Sequence, residues 1–134
     1  DEQTLEKIRE IGKLLGLAFQ IKDDLLDYST TSIIGKPALN DLKEHKITLP
    51  LLYALQQVNK KEQKSIIKIV HKRNNTKDLP KIISFIEAHK GFTYAEQKIE
   101  HMCTQAQKLI LTFEKSDAQN ALLDLISYIS DRKK

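Results

Sequence analysis

The sequence has a single cysteine, no tryptophan, and only four glycines and three prolines among its 134 residues. One cysteine, Cys103, excludes an intrachain disulfide framework and any zinc site built from several cysteines, and it fits a reducing, cytoplasmic compartment. No apolar run approaches membrane-spanning length, so we predict no transmembrane segment. The scarcity of helix-breaking residues, together with many Leu, Ile, Lys, Glu and Gln, predicts an all-α protein in one domain spanning 1–134.

Charge and aromatic content indicate which partners the chain favours. Lysine and arginine number 22 against 18 aspartates and glutamates, which gives a net charge of +4. This mild excess is compatible with small anionic substrates. Basic residues with few aromatics among them do not indicate a nucleic-acid binder, so we expect no nucleic acid as a partner. The four histidines have no close helical partners and do not predict a zinc site.

Hydrophobic periodicity and capping residues predict six helices. The first runs from about Thr4 to Tyr28, and a polar loop around Gly35 follows it. A second begins near Asn40 or Asp41, both good caps, and runs to about Val58. Pro50 should kink or break it near Leu49.

Four shorter patterns complete the predicted helices. Asn59 with Glu62 caps the third, which extends to about Arg73. The fourth spans roughly Asp78 to Lys90, with Pro80 in its first turn and Gly91 as its stop. The fifth helix begins at a capping box, Thr93–Glu96, and extends to about Lys115. The sixth is capped by Ser116 with Gln119 and extends to about Arg132.

The acids Asp23, Asp24 and Asp27 near the end of the first helix are the most informative residues. Offsets of three and four place them on one helix face. Three carboxylates repel one another unless water or a cation screens them, and Mg²⁺ held by a few carboxylates keeps positions open for substrate phosphates. A bare cluster of this kind is more often a solvated surface.

Two glycines, Gly12 and Gly16, lie four residues apart within the same predicted helix. Glycine costs helix stability, so its presence here suggests the close approach of another helix or of a substrate. Gly16 and Gln20 also extend the stripe of acids, and together these residues would line a groove.

These residues belong to a longer pattern that closely resembles the trans-polyprenyl diphosphate synthases of the octaprenyl and solanesyl type. The pattern includes the stretch from Gly16 to Tyr28, then Gly35-Lys36-Pro37, then Asn40 to Glu44 and Lys46 to Leu55. It resembles the family's second aspartate-rich motif and the segment after that motif. The resemblance implies the C-terminal portion of the isoprenoid synthase fold, an antiparallel helical bundle, and prenyl transfer that elongates an allylic diphosphate with isopentenyl diphosphate.

The resemblance also implies roles for the polar residues. Asp23, Asp24 and Asp27 would hold Mg²⁺ that bridges the diphosphate of the allylic substrate. Lys36 and Lys46 would contact that leaving diphosphate.

Three further residues would border the same site. Phe19 and Gln20 would lie where the two substrates meet, with Gln20 near the reacting carbons. Asp41 would support either a metal-bound water or the side of the site where Lys46 lies. In full length, the resemblance implies a homodimer.

Departures from the family pattern qualify these expectations. Leu39 stands where the family usually has glycine, and His45 stands where glycine or glutamine is common. The first aspartate-rich motif is absent from the chain, so we expect the C-terminal half of such an enzyme, inactive alone. Chain elongation by the purified 134 residues would contradict this. The alternative is a non-catalytic helical subunit or interaction module.

Overall fold

The structure, a computed structural model, describes residues 1–28 and 39–131. Every regular element in those ranges is helical, which confirms the predicted all-α class. The helices are α1 (Glu2–Asp27), α2 (Asn40–Lys43), α3 (Leu49–Gln56), α4 (Lys60–Val70), α5 (Leu79–Ala88), α6 (Gly91–Ile110) and α7 (Asp117–Asp131), with a 3-10 turn at Thr76–Asp78. The predicted loop around Gly35 lies outside the described residues.

The chain divides into two compact units. The first takes in Asp1–Lys22 and the described chain from Glu96 onward, and the second is Asp23–Ala95. The division falls inside α1 and inside α6, so each of these helices contributes to both units. The expected single domain remains a prediction.

The first unit buries apolar residues at helical spacing from all three of its helices. Offsets of three and four residues put each set on one helix face, which is what a helix needs to bury a stripe. The buried residues are Ile11, Leu14, Leu15 and Ala18 of α1, Ile99, Cys103, Ala106 and Ile110 of α6, and Ile126 and Ile129 of α7. Burial raises the pKa of the Cys103 thiol, and nearby Lys22 offsets part of that rise.

The second unit has its own hydrophobic core, to which α2, α3, α4 and α5 contribute. The helix α3 packs against both α4 and α5. Leucine and isoleucine side chains fill the interior, and Leu42, Leu51, Ile82 and Ile86 are fully buried. Tyr53 and Tyr94 stack with ring centroids 4.1 Å apart at the edge of this unit.

Pro50 begins a helix instead of bending one. The predicted second helix is two helices, α2 and α3, and the chain between them is not helical over Glu44–Thr48. Pro50 occupies the first turn of α3, where its missing N–H costs nothing and its fixed φ suits the helix. The predicted break is confirmed, although it extends further toward the N-terminus than Leu49.

The cap at Asn59 is confirmed and the junction near Gly91 is a correction. The Asn59 side chain accepts from the Glu62 N–H at 2.9 Å. Gly91 does not end α5; it is the first residue of α6, and Lys90 with φ 60° takes the left-handed position after α5. Thr93 therefore lies inside α6, and the predicted capping box at Thr93–Glu96 was wrong.

Two helix ends also differ from prediction. The helix α4 ends at Val70, three residues before Arg73, and α6 ends at Ile110 instead of Lys115. The cap of α7 is confirmed in part, because Ser116 Oγ accepts from Gln119 N at 3.0 Å. The Gln119 side chain turns elsewhere and donates to the carbonyls of Ile110 and Phe113.

Gly91 is required because the chain approaches it closely. A Cβ at this position would lie 2.1 Å from the Pro50 carbonyl oxygen and 2.7 Å from Ile86 Cγ2. Backbone cannot yield as a flexible side chain would, so overpacking is expected. Gly12 is the matched control, since nothing lies within 4 Å of a Cβ there.

We expect Gly91→Ala to lower the free energy of unfolding by about 1–3 kcal/mol. Gly12→Ala should raise it by about 0.5–1 kcal/mol, because alanine is the better residue in a helix interior. Urea unfolding followed by circular dichroism at the helix band measures both. Equal midpoints for Gly91→Ala and the parent chain would contradict the close approach at position 91.

Candidate functional site

The predicted acids lie in the last two turns of α1, at the start of the second unit. Asp23 is exposed, whereas Asp24 and Asp27 are half-buried. Burial raises the pKa of Asp24, and the charges of Asp41, Asp23 and Asp27 raise it further, in that order. The structure therefore brings a fourth carboxylate, from α2, to the three that the sequence predicted together.

The Asp27 carboxylate joins α1 to α2. Its Oδ1 accepts the Asn40 N–H at 3.1 Å and its Oδ2 accepts the Asp41 N–H at 2.9 Å. The cap residue of α2 is Leu39, which has no side-chain acceptor and lies at φ 76°. Asp27 thus satisfies N–H groups that a helix start leaves unpaired, a role that the sequence had suggested for Asn40 or Asp41.

Lys46 lies close to this cluster. Its backbone N–H donates to the Asp41 carbonyl at 2.7 Å. Its Nζ is 3.6 Å from Glu44 Oε2, and both side chains are mostly exposed. Burial and Asp27 raise the pKa of Asp41, while the charge of Lys46 lowers it. The ammonium therefore acts on Asp41 and pairs with Glu44.

Tyr28 had no role in the sequence-based predictions. Its hydroxyl forms a 3.4 Å hydrogen bond with Thr48 Oγ1, and its ring meets Phe92 edge-on at 5.1 Å. Burial raises the pKa of Tyr28 to about 12, the Thr48 bond lowers it, and the carboxylates of Asp41, Asp27 and Asp24 raise it. Its place directly after Asp27 was the only signal available in the sequence.

Two of the predicted site residues belong to the other unit, and a third is not described. Phe19 and Gln20 are exposed on α1, one turn before the acids, and belong to the first unit. Lys36 lies outside the described residues. We also expected a close neighbour at Gly12 and Gly16. Among the described residues, nothing comes within 4 Å of a Cβ at either position.

The carboxylates of this cluster offer oxygen ligands, which suit a hard divalent cation. Carboxylate oxygens that repel one another are such donors, and Mg²⁺ is usually held by one or two carboxylates plus substrate phosphates. Among residues 1–28 and 39–131, no group of three or more His, Cys, Asp or Glu side chains is gathered to hold a metal by itself. The residues therefore suit a magnesium ion that is coordinated by one or two carboxylates and a substrate phosphate better than one that is coordinated by protein ligands alone.

Comparison with known proteins identifies the family. The model of the polyprenyl synthetase family matches residues 1–86, and the chain belongs to that family. It is 31% identical over 132 residues to octaprenyl diphosphate synthase of Haemophilus influenzae, covering 98% of this chain and 40% of that protein. It is 30% identical over 134 residues to heptaprenyl diphosphate synthase component 2 of Bacillus subtilis, covering 99% of this chain and 38% of that protein.

A solved structure agrees with the fold. Geranylgeranyl pyrophosphate synthase from Bacteroides thetaiotaomicron superposes with a TM-score of 0.85 at 31% identity, over 98% of this chain and 44% of that one. The chain thus spans about two fifths of the length of the curated relatives it matches. In the part of the chain that the structure describes, no helix is both long and apolar enough to cross a membrane.

The capping role of Asp27 predicts a loss of stability that needs no metal. Asp27→Ala should lower the free energy of unfolding by about 1–2 kcal/mol, because it leaves the first N–H groups of α2 without their acceptor. Asp27→Asn should cost less, since one acceptor oxygen remains. Urea unfolding in EDTA measures both, and Asp124→Ala, an exposed acid on α7, should change stability by no more than about 0.5 kcal/mol. An Asp27→Ala chain as stable as Asp124→Ala would contradict the capping role.

Proposed function

We propose that the chain is the second metal-binding part of a polyprenyl diphosphate synthase. The reaction joins an allylic prenyl diphosphate to isopentenyl diphosphate and gives a long-chain polyprenyl diphosphate. The C–O bond to the allylic diphosphate breaks, the isopentenyl double bond forms the new C–C bond, and a proton is lost. Membership of the polyprenyl synthetase family supports this assignment, as do the names of the relatives.

The observation that carries the proposal is the junction of α1 with α2. The two backbone donations to Asp27 hold the start of α2 at the end of α1, which brings the Asp41 carboxylate near Asp24. Lys46 follows α2, and its charge acts on Asp41. Negative and positive groups therefore lie next to one another in one unit, as a magnesium diphosphate requires. A lysine ammonium serves as a point-charge phosphate binder.

Each residue has a proposed task. Asp23 and Asp24 would share Mg²⁺ with the substrate diphosphate, and Asp27 would join them only where its two backbone bonds allow it. Asp41 would support a metal-bound water. When bound, Mg²⁺ would stabilise the charge that develops on the departing diphosphate. Lys46, and Lys36 from outside the described residues, would bind diphosphate oxygens. Phe19 and Gln20 would border the reacting carbons.

The setting of the enzyme is part of the same proposal. It includes a homodimer in the full-length form and a cytoplasmic location. The cytoplasmic location is supported by the single cysteine, which is free and buried. The chain spans about 40% of its relatives' length, so the first aspartate-rich motif and the isopentenyl diphosphate site would come from sequence beyond these 134 residues.

Calorimetric titration of the 134-residue chain with geranyl diphosphate in Mg²⁺ tests the proposal. Asp24→Asn and Lys46→Met should each weaken binding at least about tenfold, because each removes a charged contact with the magnesium diphosphate. Asp124→Asn, away from the cluster, should bind as the parent does. EDTA should abolish the heat of binding. If all four chains bind equally, or none binds, the proposal fails.

A second candidate is a helical subunit that functions by joining another chain. Its support is an apolar stripe on α1, in which Leu5, Ile8 and Phe19 are 55%, 54% and 41% exposed and Gly12 and Gly16 lie between them. Apolar patches of this kind mark interaction surfaces. We propose that its occupant is a helix from the remainder of the polyprenyl synthetase sequence, since the chain spans only about 40% of its relatives.

Sedimentation tests the subunit proposal. The chain should co-sediment with the part of Haemophilus influenzae octaprenyl diphosphate synthase that this chain does not match, because that polypeptide would cover the stripe. Ile8→Lys should weaken association at least about tenfold, since it places a charge in an apolar contact. Leu111→Lys is the control. It changes another exposed apolar residue, one position past the end of α6, and should associate normally. A chain that stays monomeric in the mixture would rule this candidate out.

A further inference from the structure

The segment that carries Asp41 and Lys46 needs support from elsewhere in the chain. Its helix, α2, has four residues, which is too short to be stable alone. Two bulky residues that flank the helix lie at positive φ, Leu39 at 76° and His45 at 66°. Such values are strained for side chains with a Cβ and persist only when the surroundings impose them. Asp27 holds the start of this helix, so its end requires a separate explanation.

Asn75 provides that support from far along the chain. It is 2% exposed, and its Nδ2 donates to the Leu42 carbonyl at 2.7 Å and to the Val70 carbonyl at 2.9 Å. One amide group thus ties the end of α2 to the end of α4. The sequence-based predictions gave Asn75 no role.

His45 reaches the same two carbonyls. Its backbone N–H donates to Leu42 O at 3.0 Å, and its Nδ1 is 2.9 Å from Val70 O. Because a carbonyl only accepts, Nδ1 carries the proton in this contact. Each carbonyl therefore receives one bond from Asn75 and one from His45. We call these four hydrogen bonds the Asn75–His45 clamp.

We propose that the Asn75–His45 clamp makes Asn75 and His45 positioning residues of the diphosphate site. The clamp fixes the turn directly before Lys46 and the helix that bears Asp41, so Asp41 keeps its place at the end of α1 and Lys46 keeps its place beside Asp41. Neither Asn75 nor His45 needs to touch the substrate for this. The inference rests on the proposed function and extends it to residues outside the aspartate-rich motif.

The first unit contains a matched control. Gln119 is the other buried polar residue among the described residues, and its Nε2 donates to the carbonyls of Ile110 at 3.1 Å and Phe113 at 2.9 Å. It performs for α6 and α7 the same kind of bridging that Asn75 performs for α2 and α4. Asn75→Asp and Gln119→Glu each replace an amide donor by an oxygen of the same shape.

Hydrogen exchange and binding together test the inference. Asn75→Asp should speed exchange of the Lys43–Lys46 amides at least about tenfold, since it removes two bonds from buried carbonyls, and should weaken binding of magnesium geranyl diphosphate at least about fivefold. Gln119→Glu should lose similar stability while both readouts keep their parent values. His45→Ala loses the Nδ1 donor and keeps a Cβ at positive φ, so it should weaken binding as Asn75→Asp does. His45→Asn, which tolerates positive φ and keeps a donor near the Nδ1 position, should restore binding.

Each outcome decides between the alternatives. Unchanged exchange at Lys43–Lys46 in a folded Asn75→Asp chain would overturn the clamp. Faster exchange with binding no weaker than in Gln119→Glu would overturn the positioning role and leave the proposed function standing. If the parent chain binds no magnesium diphosphate, the proposed function and the positioning role fail together, although the exchange data still decide whether the clamp exists. If Asn75→Asp does not fold, the pair His45→Ala and His45→Asn gives the same decision.

Discussion

The acceptance of two backbone N–H groups by Asp27 is the contact on which the candidate site depends. It makes one carboxylate both the last acid of the α1 cluster and the cap of α2. Charge-assisted bonds to backbone donors are among the stronger hydrogen bonds in proteins. Through this contact a residue that looks like a metal ligand acts first as a structural element, and it brings Asp41 to within the electrostatic reach of Asp24.

Two departures from the family pattern gain a structural meaning. By the resemblance, Leu39 stands where the family usually has glycine, and His45 stands where glycine or glutamine is common. Both residues have positive φ here, which is the conformation that glycine adopts without strain. Leu39 offsets the strain by burial in the core of the second unit, and His45 does so through its bond to the Val70 carbonyl.

The sequence predicted local features well and long-range ones poorly. Helix periodicity gave α1 nearly to the residue, and Asn59 and Ser116 capped the helices that they were expected to cap. The Gly91 prediction failed because a glycine can serve a close approach of backbone as well as a helix stop, and only the fold reveals Pro50 beside it. Asn75 could not have been found, because its partners are 33 and 5 residues away and no local pattern marks them.

The close approach at Gly91 also has a mechanical consequence. The Pro50 carbonyl abuts the first residue of α6, and Pro50 follows Thr48, the partner of Tyr28, by two residues. Because the two backbones are already in close contact, a displacement of Pro50 toward Gly91 would push on the beginning of α6 as well. The segment that bonds to Tyr28 is thus coupled by contact to a helix that carries none of the acids.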